Sequence, residues 1–331
     1  MALKFIEVCA GAGGMSKGFM DSGLEPELLN DIITDCCKTL ERNHPYVQVI
    51  NKSMVDLDLS EYKNIPLLCG GVPCQAFSQA GNRKGLNDPR GELILKFIEM
   101  IKTIEPKIFL IENVKGLTTH NKGETFTSLL TQMKELNYNI NYKVINATDY
   151  EVPQKRERII IIGLNKAFLK SPDYLFEFPS LCEKKVLLKD VLSDVPESLC
   201  AKYPPNKIDL FKKIGQGQCW TALPIEEQKA YLGKSFESGG GKRGILHRLS
   251  MEKPSLTLLC TPSQKQTERC HPLEERPLSV REYARIQTFP DDYIFEGNMS
   301  SQYKQIGNAV PVRLAYHLGI QIKKTIERHI N

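Results

Sequence analysis

A cysteine at position 74 has the setting that best suits nucleophilic chemistry. It lies in the turn-forming stretch Gly70-Gly71-Val72-Pro73-Cys74-Gln75, directly after the short apolar run 65–69. An open α/β sheet presents its reactive groups at the carboxyl ends of its strands. A thiolate attacks electron-poor carbon well when its surroundings are exposed and polar. We therefore predict that Cys74 is a nucleophile; the alternatives are a redox-active thiol and a buried structural one.

An acid and two arginines could assist such a nucleophile. Glu112 follows the apolar run 108–111, where an acid should be partly desolvated. Desolvation favours the protonated form, so Glu112 could donate a proton near neutral pH. Arg156 and Arg158 are two residues apart at the start of a predicted strand, so both side chains should point to the same face of the sheet. Their guanidinium groups suit carbonyl or phosphate oxygens. The alternatives are a helix N-cap for Glu112 and an edge salt-bridge pair for the arginines.

A glycine turn follows the first predicted strand. Gly11, Ala12, Gly13 and Gly14 would let backbone approach a ligand closely. Asp31 closes the second predicted strand about twenty residues later, where an acid can hydrogen-bond ribose hydroxyls. This spacing suits nucleotide-type binding; the alternative is a tight turn with an unrelated surface acid.

The first half of the chain supplies the elements that would position these residues. Strand and helix patterns alternate there, and alternating βα units imply a mostly parallel sheet with helices on both faces. We predict strands at 4–8, 27–30, 47–50, 66–69, 107–111, 142–146 and 158–164, and helices at 15–22, 34–43, 92–104 and 125–136.

The alternation of strand and helix patterns ends at about residue 164. Residues 166–277 are irregular and rich in Pro, Lys, Ser and Gly, which indicates a small, loop-rich second domain with short strands at Trp220 and 255–260. A helix returns at 279–287, with Ser279 as N-cap and Glu282 at N3. A last helix covers 311–328, and the preceding Gly307-Asn308 reads as a turn and helix start.

Composition is that of a globular protein. The 331 residues are 41% hydrophobic and 25% charged, and the net charge of +5 permits a polyanionic partner. No apolar run approaches the ~20 residues of a membrane span. The first residues read as a strand without a signal-peptide pattern, so we expect an intracellular, cytoplasmic protein. The ten cysteines form no Cys-x-x-Cys pair, and we expect no metal site.

Six motifs occur in one order along nearly the whole chain, and together they resemble the DNA cytosine-5 methyltransferase family. They are 9–14, Pro73-Cys74, Glu112-Asn113-Val114, Gln154-x-Arg156-x-Arg158, 276–290 (Arg-Pro-Leu-Ser-Val-Arg-Glu followed by Gln-x-Phe-Pro) and 307–311.

The resemblance implies an α/β, Rossmann-like S-adenosylmethionine-dependent methyltransferase fold. The catalytic domain would comprise 1–170 plus 302–331, and the target-recognition domain and hinge 171–301. The implied activity is transfer of a methyl group to C5 of a cytosine flipped out of a specific double-stranded DNA sequence. The compact length favours a bacterial or phage modification enzyme, with a restriction endonuclease as functional partner; we expect a monomer with no membrane association.

The resemblance also implies roles for single residues. Cys74 would add to C6 of the base, Glu112 would act at N3, Arg158 would hold O2, and Arg156 would support the site. The cofactor would lie along the Gly11 to Gly14 turn with Asp31 on its ribose, and further pocket positions would be Pro73, Leu93 and Asn308.

DNA contacts are expected from two segments. The segment 79–91 resembles the family's mobile loop, which closes over the flipped base. The second segment lies in the recognition domain, where Thr257-Leu258 matches a common dipeptide and basic residues could contact phosphates and base edges or form a solvated surface. The predicted contacts are Gln75, Ser78, Arg83, Lys84, Arg90, Lys242, Arg243, Arg248 and Thr257, with Lys253, Lys265 and Arg269 as further basic residues.

Two positions depart from the family pattern. Cys9 stands where the family usually has a Phe that packs on adenine. Ser53 aligns with an Asp that contacts the adenine amino group, although Asp56 is the equivalent if the loop is shifted. Two other functions stay open: a tRNA cytosine-5 methyltransferase, whose usual late Cys-Phe-Thr is not found, and a catalytically silent DNA-binding relative, which the intact catalytic residues disfavour.

Overall fold

The computed structural model describes residues 3–72, 92–237, 244–265 and 268–331. The chain divides into two compact units, and each is described by itself. The first unit comprises Met1–Tyr150, Glu157–Glu183 and Ala309–Asn331, and the second comprises Glu151–Arg156 and Lys184–Asn308. The assignment of catalytic and recognition functions to segments of the chain stays a prediction.

A seven-stranded sheet forms the centre of the first unit, in the order β3-β2-β1-β4-β5-β8-β6. The first five strands in this order pair in parallel, and β8 lies antiparallel between β5 and β6. The predicted mostly parallel sheet is therefore confirmed. The strands are β1 (Lys4–Val8), β2 (Glu25–Asp31), β3 (Gln48–Asn51), β4 (Leu67–Gly70), β5 (Ile108–Val114), β6 (Tyr138–Asn146) and β8 (Glu157–Asn165).

Helices pack on both faces of this sheet, because apolar side chains of β1 alternate between two cores. Phe5 makes an edge-to-face contact with Phe19 of the first helix at 5.6 Å between ring centres. Ile6 belongs to the opposite core, with Phe97 and Ile101 of the third helix. The helices of this unit are α1 (Gly14–Asp21), α2 (Thr34–Asn43), α3 (Glu92–Ile104), α4 (Glu124–Glu135) and α9 (Val312–His329).

The second unit has a short sheet and its own core. Strands β7 (Gln154–Lys155) and β9 (Ser255–Leu256) pair in parallel. Phe211, Leu246 and Cys270 lie at the centre of an apolar cluster and are fully buried. Ser279 is the N-cap of a reciprocal capping box with Glu282, as predicted. The helices are α5 (Pro205–Phe211), α6 (Ile225–Leu232), α7 (Val280–Ile286) and α8 (Met299–Asn308).

Three expectations about this unit were wrong. Helices α5 and α6 lie in the stretch expected to be irregular, and Trp220 begins a 3₁₀ turn instead of a strand. Gly307 and Asn308 end helix α8, whereas the glycine had indicated a turn before the last helix. Helix α8 was missed because its apolar positions are few and its polar residues resemble those of a loop. Among the residues that the structure describes, no helix is both long and apolar enough to cross a membrane.

Candidate active site

The glycine turn and Asp31 form a hydrogen-bonded cradle beside the carboxyl ends of β1 and β2. Gly11 and Gly13 have φ values of +57° and +80°, a region that L side chains rarely adopt. The N–H of Gly11 donates to Oδ2 of Asp31 at 2.8 Å, and the N–H of Ile33 donates to Oδ1 at 2.8 Å. A Cβ built on Gly11 would meet no atom within 4 Å, so space beside this backbone is open. The turn therefore combines open backbone with an oriented carboxylate.

Cys9 and Ser53 are the two positions where the family usually has a phenylalanine and an aspartate. Cys9 has a φ of 53°, and its Sγ lies 3.4 Å from Sδ of Met54. Burial raises the pKa of the Cys9 thiol to about 12, so this cysteine stays protonated at neutral pH. Ser53 caps the 3₁₀ turn Met54–Asp56 by accepting the N–H of Val55. The hydroxyl of Ser53 therefore accepts a hydrogen bond from the backbone.

An exposed isoleucine follows Asp31 and was not singled out from the sequence. Ile32 is 66% exposed although it is a large apolar residue. Single exposed apolar side chains are common on protein surfaces, so this exposure only leaves Ile32 available for contact with a ligand. The only available sequence signal was its place immediately after the strand-ending acid.

Glu112 and Arg158 form an ion pair at the opposite side of the sheet centre. Strand β5 continues to Val114, so Glu112 lies inside the strand opposite Ile160, and the N-cap alternative is excluded. Nε of Arg158 lies 2.9 Å from Oε1 of Glu112, and the two side chains are only 15% and 11% exposed. Glu112 is largely buried, as the apolar run before it indicated, whereas its direct pairing with Arg158 was not foreseen. Two residues predicted to bind the same base thus orient each other.

The same strand holds the chain where it approaches Cys74. Nδ2 of Asn113 donates to the backbone oxygen of Val72 at 3.1 Å, inside the protein. A Cβ on Gly71 would lie 3.6 Å from Oε2 of Glu112, so the acid is next to this backbone. Asn113 therefore holds Val72, and Glu112 lies near Gly71, the other residue directly before Pro73. Asn113 belongs to the motif 112–114, but its sequence context indicated no role for it.

Arg156 belongs to the second unit, where its guanidinium binds the end of helix α8. Its side chain is 1% exposed, and its guanidinium donates to the backbone oxygens of Gly307 and Asn308 at 3.1 and 3.3 Å. These are carbonyls at the C-terminal end of α8, which favour a cation. The predicted common face with Arg158 was wrong, because the partners of the two arginines lie in different units.

The end of α8 is packed tightly against the segment after β9. A Cβ on Gly307 would lie 2.6 Å from the backbone oxygen of Leu259, so only glycine allows this approach. Sγ of Cys260 donates to Oδ1 of the exposed Asn308 at 3.0 Å. The hydroxyl of Thr257 donates to the backbone oxygen of Lys155 at 2.6 Å. Asn308 therefore has both its backbone and its amide fixed.

Comparison with known proteins agrees with this architecture. The sequence profile of the C-5 cytosine-specific DNA methylases matches residues 3–324. The chain belongs to this family. It is 47% identical to the Type II methyltransferase M.Eco47II of Escherichia coli over 98% of this chain and 79% of that protein. It is 44% identical to M.Sau96I of Staphylococcus aureus over 98% and 76%, respectively.

A solved structure extends the likeness to the fold. The methyltransferase EhMeth of Entamoeba histolytica superposes with a TM-score of 0.71 over 98% of this chain and 99% of that one, at 17% identity. Members of the C-5 cytosine-specific DNA methylase family methylate DNA cytosine at C5, and this activity is therefore that of the chain.

Some of the predicted site residues of this methylase lie in the described part of the structure and others do not. Glu112, Arg158, Asp31 and the turn 11–14 lie in the first unit, as does Leu93, which packs against the core. Several predicted residues lie outside those that the structure describes, and their roles stay predictions: Pro73, Cys74, Gln75, Ser78, Arg83, Lys84, Arg90, Lys242 and Arg243.

The expected DNA contact of Arg248 disagrees with the structure. This side chain is 4% exposed, and its guanidinium donates to backbone oxygens of Phe211 and Ile214, each at 2.7 Å. It also pairs with Glu275 at 3.0 Å. Arg269 is buried as well, at 7% exposed. A guanidinium with its donors directed at interior carbonyls supports the second unit and is not presented to DNA.

Proposed function

We propose that this methylase transfers the methyl group of S-adenosylmethionine to C5 of a flipped cytosine through a covalent bond between Cys74 and C6. The observation that carries the proposal is the Glu112–Arg158 pair next to Gly71, three residues before Cys74. Arg158 could donate to O2 of a pyrimidine, and Glu112, once protonated, could donate to N3. A nucleophile held beside the two residues would reach C6 of the same ring.

The cofactor residues fit an adenosyl ligand. Asp31 keeps a fixed carboxylate at the end of β2, open backbone lies beside Gly11, and exposed Ile32 offers an apolar face. These are the groups that a ribose, a charged methionine part and a purine would use. When bound, S-adenosylmethionine supplies a methyl group on a positively charged sulfur.

The proposed reaction has three steps, in which the protein supplies a nucleophile and a proton donor. The Cys74 thiolate adds to C6 while Glu112 donates or shares a proton at N3, which makes C5 an enamine carbon. The electron pair at C5 takes the methyl group. Loss of the C5 proton to a base, expulsion of the thiolate from C6 and return of the N3 proton to Glu112 restore the aromatic ring and the free enzyme. Arg158 would hold O2 and keep Glu112 oriented throughout.

Sequence recognition is proposed for the second unit. Thr257 and Lys253 lie in the part of this unit that the structure describes, and Lys242 and Arg243 lie in a basic stretch outside it. The relatives are named Type II methyltransferases, so we infer a modification enzyme of a restriction-modification system. Bisulfite sequencing of DNA from cells that express the protein would identify the methylated sequence.

A duplex that contains 5-fluorocytosine tests the covalent step, because fluorine at C5 cannot leave as a proton does. With S-adenosylmethionine, wild-type protein should form a complex that survives denaturing electrophoresis, and Cys74→Ala should not. The same assay with a tRNA that contains 5-fluorocytosine tests the alternative substrate. An identical adduct with Cys74→Ala would refute the nucleophile, and an adduct on tRNA alone would refute the DNA substrate.

A further inference from the structure

An asparagine at the end of β3 holds the main chain of the cradle around Asp31. The pairing of β2 with β3 ends where Asp31 lies opposite Asn51. Nδ2 of Asn51 donates to the backbone oxygens of Asp31 and Ile32 at 3.1 and 3.0 Å. The side chain of Asn51 therefore continues the hydrogen bonding between the two strands one residue beyond their last backbone pair.

The orientation of this amide is fixed from its other side. Oδ1 of Asn51 accepts a hydrogen bond from the hydroxyl of Thr34, the first residue of α2, at 3.0 Å. If the amide were turned over, its oxygen would face the carbonyl oxygens of Asp31 and Ile32, and both donated bonds would be lost. Although Asn51 is exposed, its amide is therefore committed to the chain around Asp31.

A second amide ties the same two strands in the opposite direction. Asn30, on β2, is 1% exposed, and its Nδ2 donates to the backbone oxygens of Ile50 and Lys52 at 2.9 and 2.8 Å. Each strand thus supplies an asparagine that binds the backbone of the other. Because the ends of β2 and β3 are tied in both directions, the chain at Ile32 cannot move away from β3 without breaking these hydrogen bonds.

The main chain that Asn51 holds carries two of the groups proposed to bind the methyl donor. The carboxylate of Asp31 is oriented by the N–H groups of Gly11 and Ile33, and the side chain of Ile32 is 66% exposed. The position of the main chain decides where both side chains lie. Groups that are already in place cost less conformational entropy when a ligand binds, so holding this segment should strengthen binding.

We propose that Asn51 is a positioning residue for the methyl donor, which fixes the main chain of Asp31 and Ile32 so that both side chains meet the adenosyl part. This inference rests on the proposed use of S-adenosylmethionine and on the proposed contacts of these two residues. S-Adenosylhomocysteine has the same adenosyl part, so binding of either ligand should depend on Asn51 to a similar extent. The methyl transfer itself should not depend on Asn51 once the donor is bound.

Calorimetry with both ligands and steady-state kinetics on DNA that carries the target sequence test this role on the full chain. Asn51→Leu keeps the size of the side chain and removes its hydrogen bonds without adding a charge. Asn139→Leu is the matched control, because Nδ2 of Asn139, on β6, also donates to two backbone oxygens, those of Pro172 and Tyr174. Urea denaturation of both variants measures the stability that each change costs.

We expect Asn51→Leu to bind S-adenosylmethionine and S-adenosylhomocysteine about five- to twentyfold more weakly. The KM for the donor should rise by a similar factor, and kcat should stay unchanged. Asn139→Leu should lose stability and keep both affinities. Unchanged affinities in Asn51→Leu, or a fall in kcat at saturating donor, would overturn the proposal.

A second variant keeps the proposal testable if Asn51→Leu does not fold. Thr34→Val removes the hydrogen bond that orients the amide of Asn51 and should weaken both ligands about two- to fivefold. Unchanged affinities in Thr34→Val would then overturn the proposal equally. Absence of binding by either ligand to the wild type would instead refute the proposed cofactor.

Discussion

Nε of Arg158 lies 2.9 Å from Oε1 of Glu112 in a pair that is largely removed from solvent. The antiparallel pairing of β5 with β8 sets Arg158 opposite Val114, two residues along the strand from Glu112. Their separation in sequence gave no sign of this contact. The pair fixes the position of the acid, and in the proposed reaction this would limit the reorganisation needed for proton transfer.

Glu112→Gln tests the acid while keeping its shape. Loss of a positioned proton donor should reduce methyl transfer about 10²- to 10⁴-fold, whereas calorimetry should show unchanged binding of S-adenosylmethionine. Glu135→Gln, at an exposed position of α4, is the control and should keep full activity. Loss of cofactor binding in Glu112→Gln would contradict the assigned role.

Asn113→Ala should loosen the approach to Cys74. Removing its hydrogen bond to Val72 should cost about 1 kcal/mol of unfolding free energy and slow formation of the fluorocytosine adduct. Asn141→Ala is the matched control, because it removes an amide bond to the backbone oxygen of Phe176 at 2.8 Å. Both variants should lose stability, and only Asn113→Ala should slow the adduct. Equal adduct rates would show that the Val72 contact is only structural.

Arg248→Ala should act on stability, since its guanidinium binds interior carbonyls. Leaving these groups unpaired should lower the unfolding free energy by about 3 kcal/mol, measured by urea denaturation. Lys253→Ala, at an exposed site, should keep stability and weaken DNA binding, with a salt slope smaller by about one. If Arg248→Ala kept its stability but bound DNA more weakly, Arg248 would contact DNA and the structural role would be wrong.

Gly307→Ala should be costly because the new Cβ would lie 2.6 Å from the oxygen of Leu259. Such overpacking typically costs about 1–3 kcal/mol. Gly215→Ala is the control, because its Cβ would meet only the flexible side chain of Gln218 at 3.0 Å. Urea denaturation should separate the two variants; equal stabilities would mean that α8 can shift away from this segment.

Glu7 should make stability fall with rising pH. Its pKa in the folded protein, about 8, lies above the ordinary 4.5, so the folded state retains a proton that the unfolded chain releases. The associated stability is fully present below pH 4.5 and is lost as pH rises through 8. Relative to wild type, Glu7→Gln should therefore gain up to about 1.4 kcal/mol per pH unit between pH 5.5 and 7.5. A constant difference would mean that Glu7 titrates normally.

Local pattern was sufficient for much of the fold. Helix α2 has the predicted bounds, because its apolar spacing and flanking polar residues are contained within a dozen positions. The glycine turn and Asp31 were also found together, since the hydrogen bond between them follows from adjacent parallel strands. Helix α8 was missed, because its burial comes from distant partners and not from a strong periodicity of its own.

The sequence by itself determined the sheet, the order of the motifs and the residue types available for cytosine chemistry. Only the tertiary structure decided which partners the charged groups have: Arg158 has Glu112, Arg156 the end of α8, Arg248 interior carbonyls, and Oε2 of Glu7 no partner among the described residues. The physical reason is that secondary structure depends on neighbours along the chain. The free energy of a charge depends on burial and partners that remote segments supply.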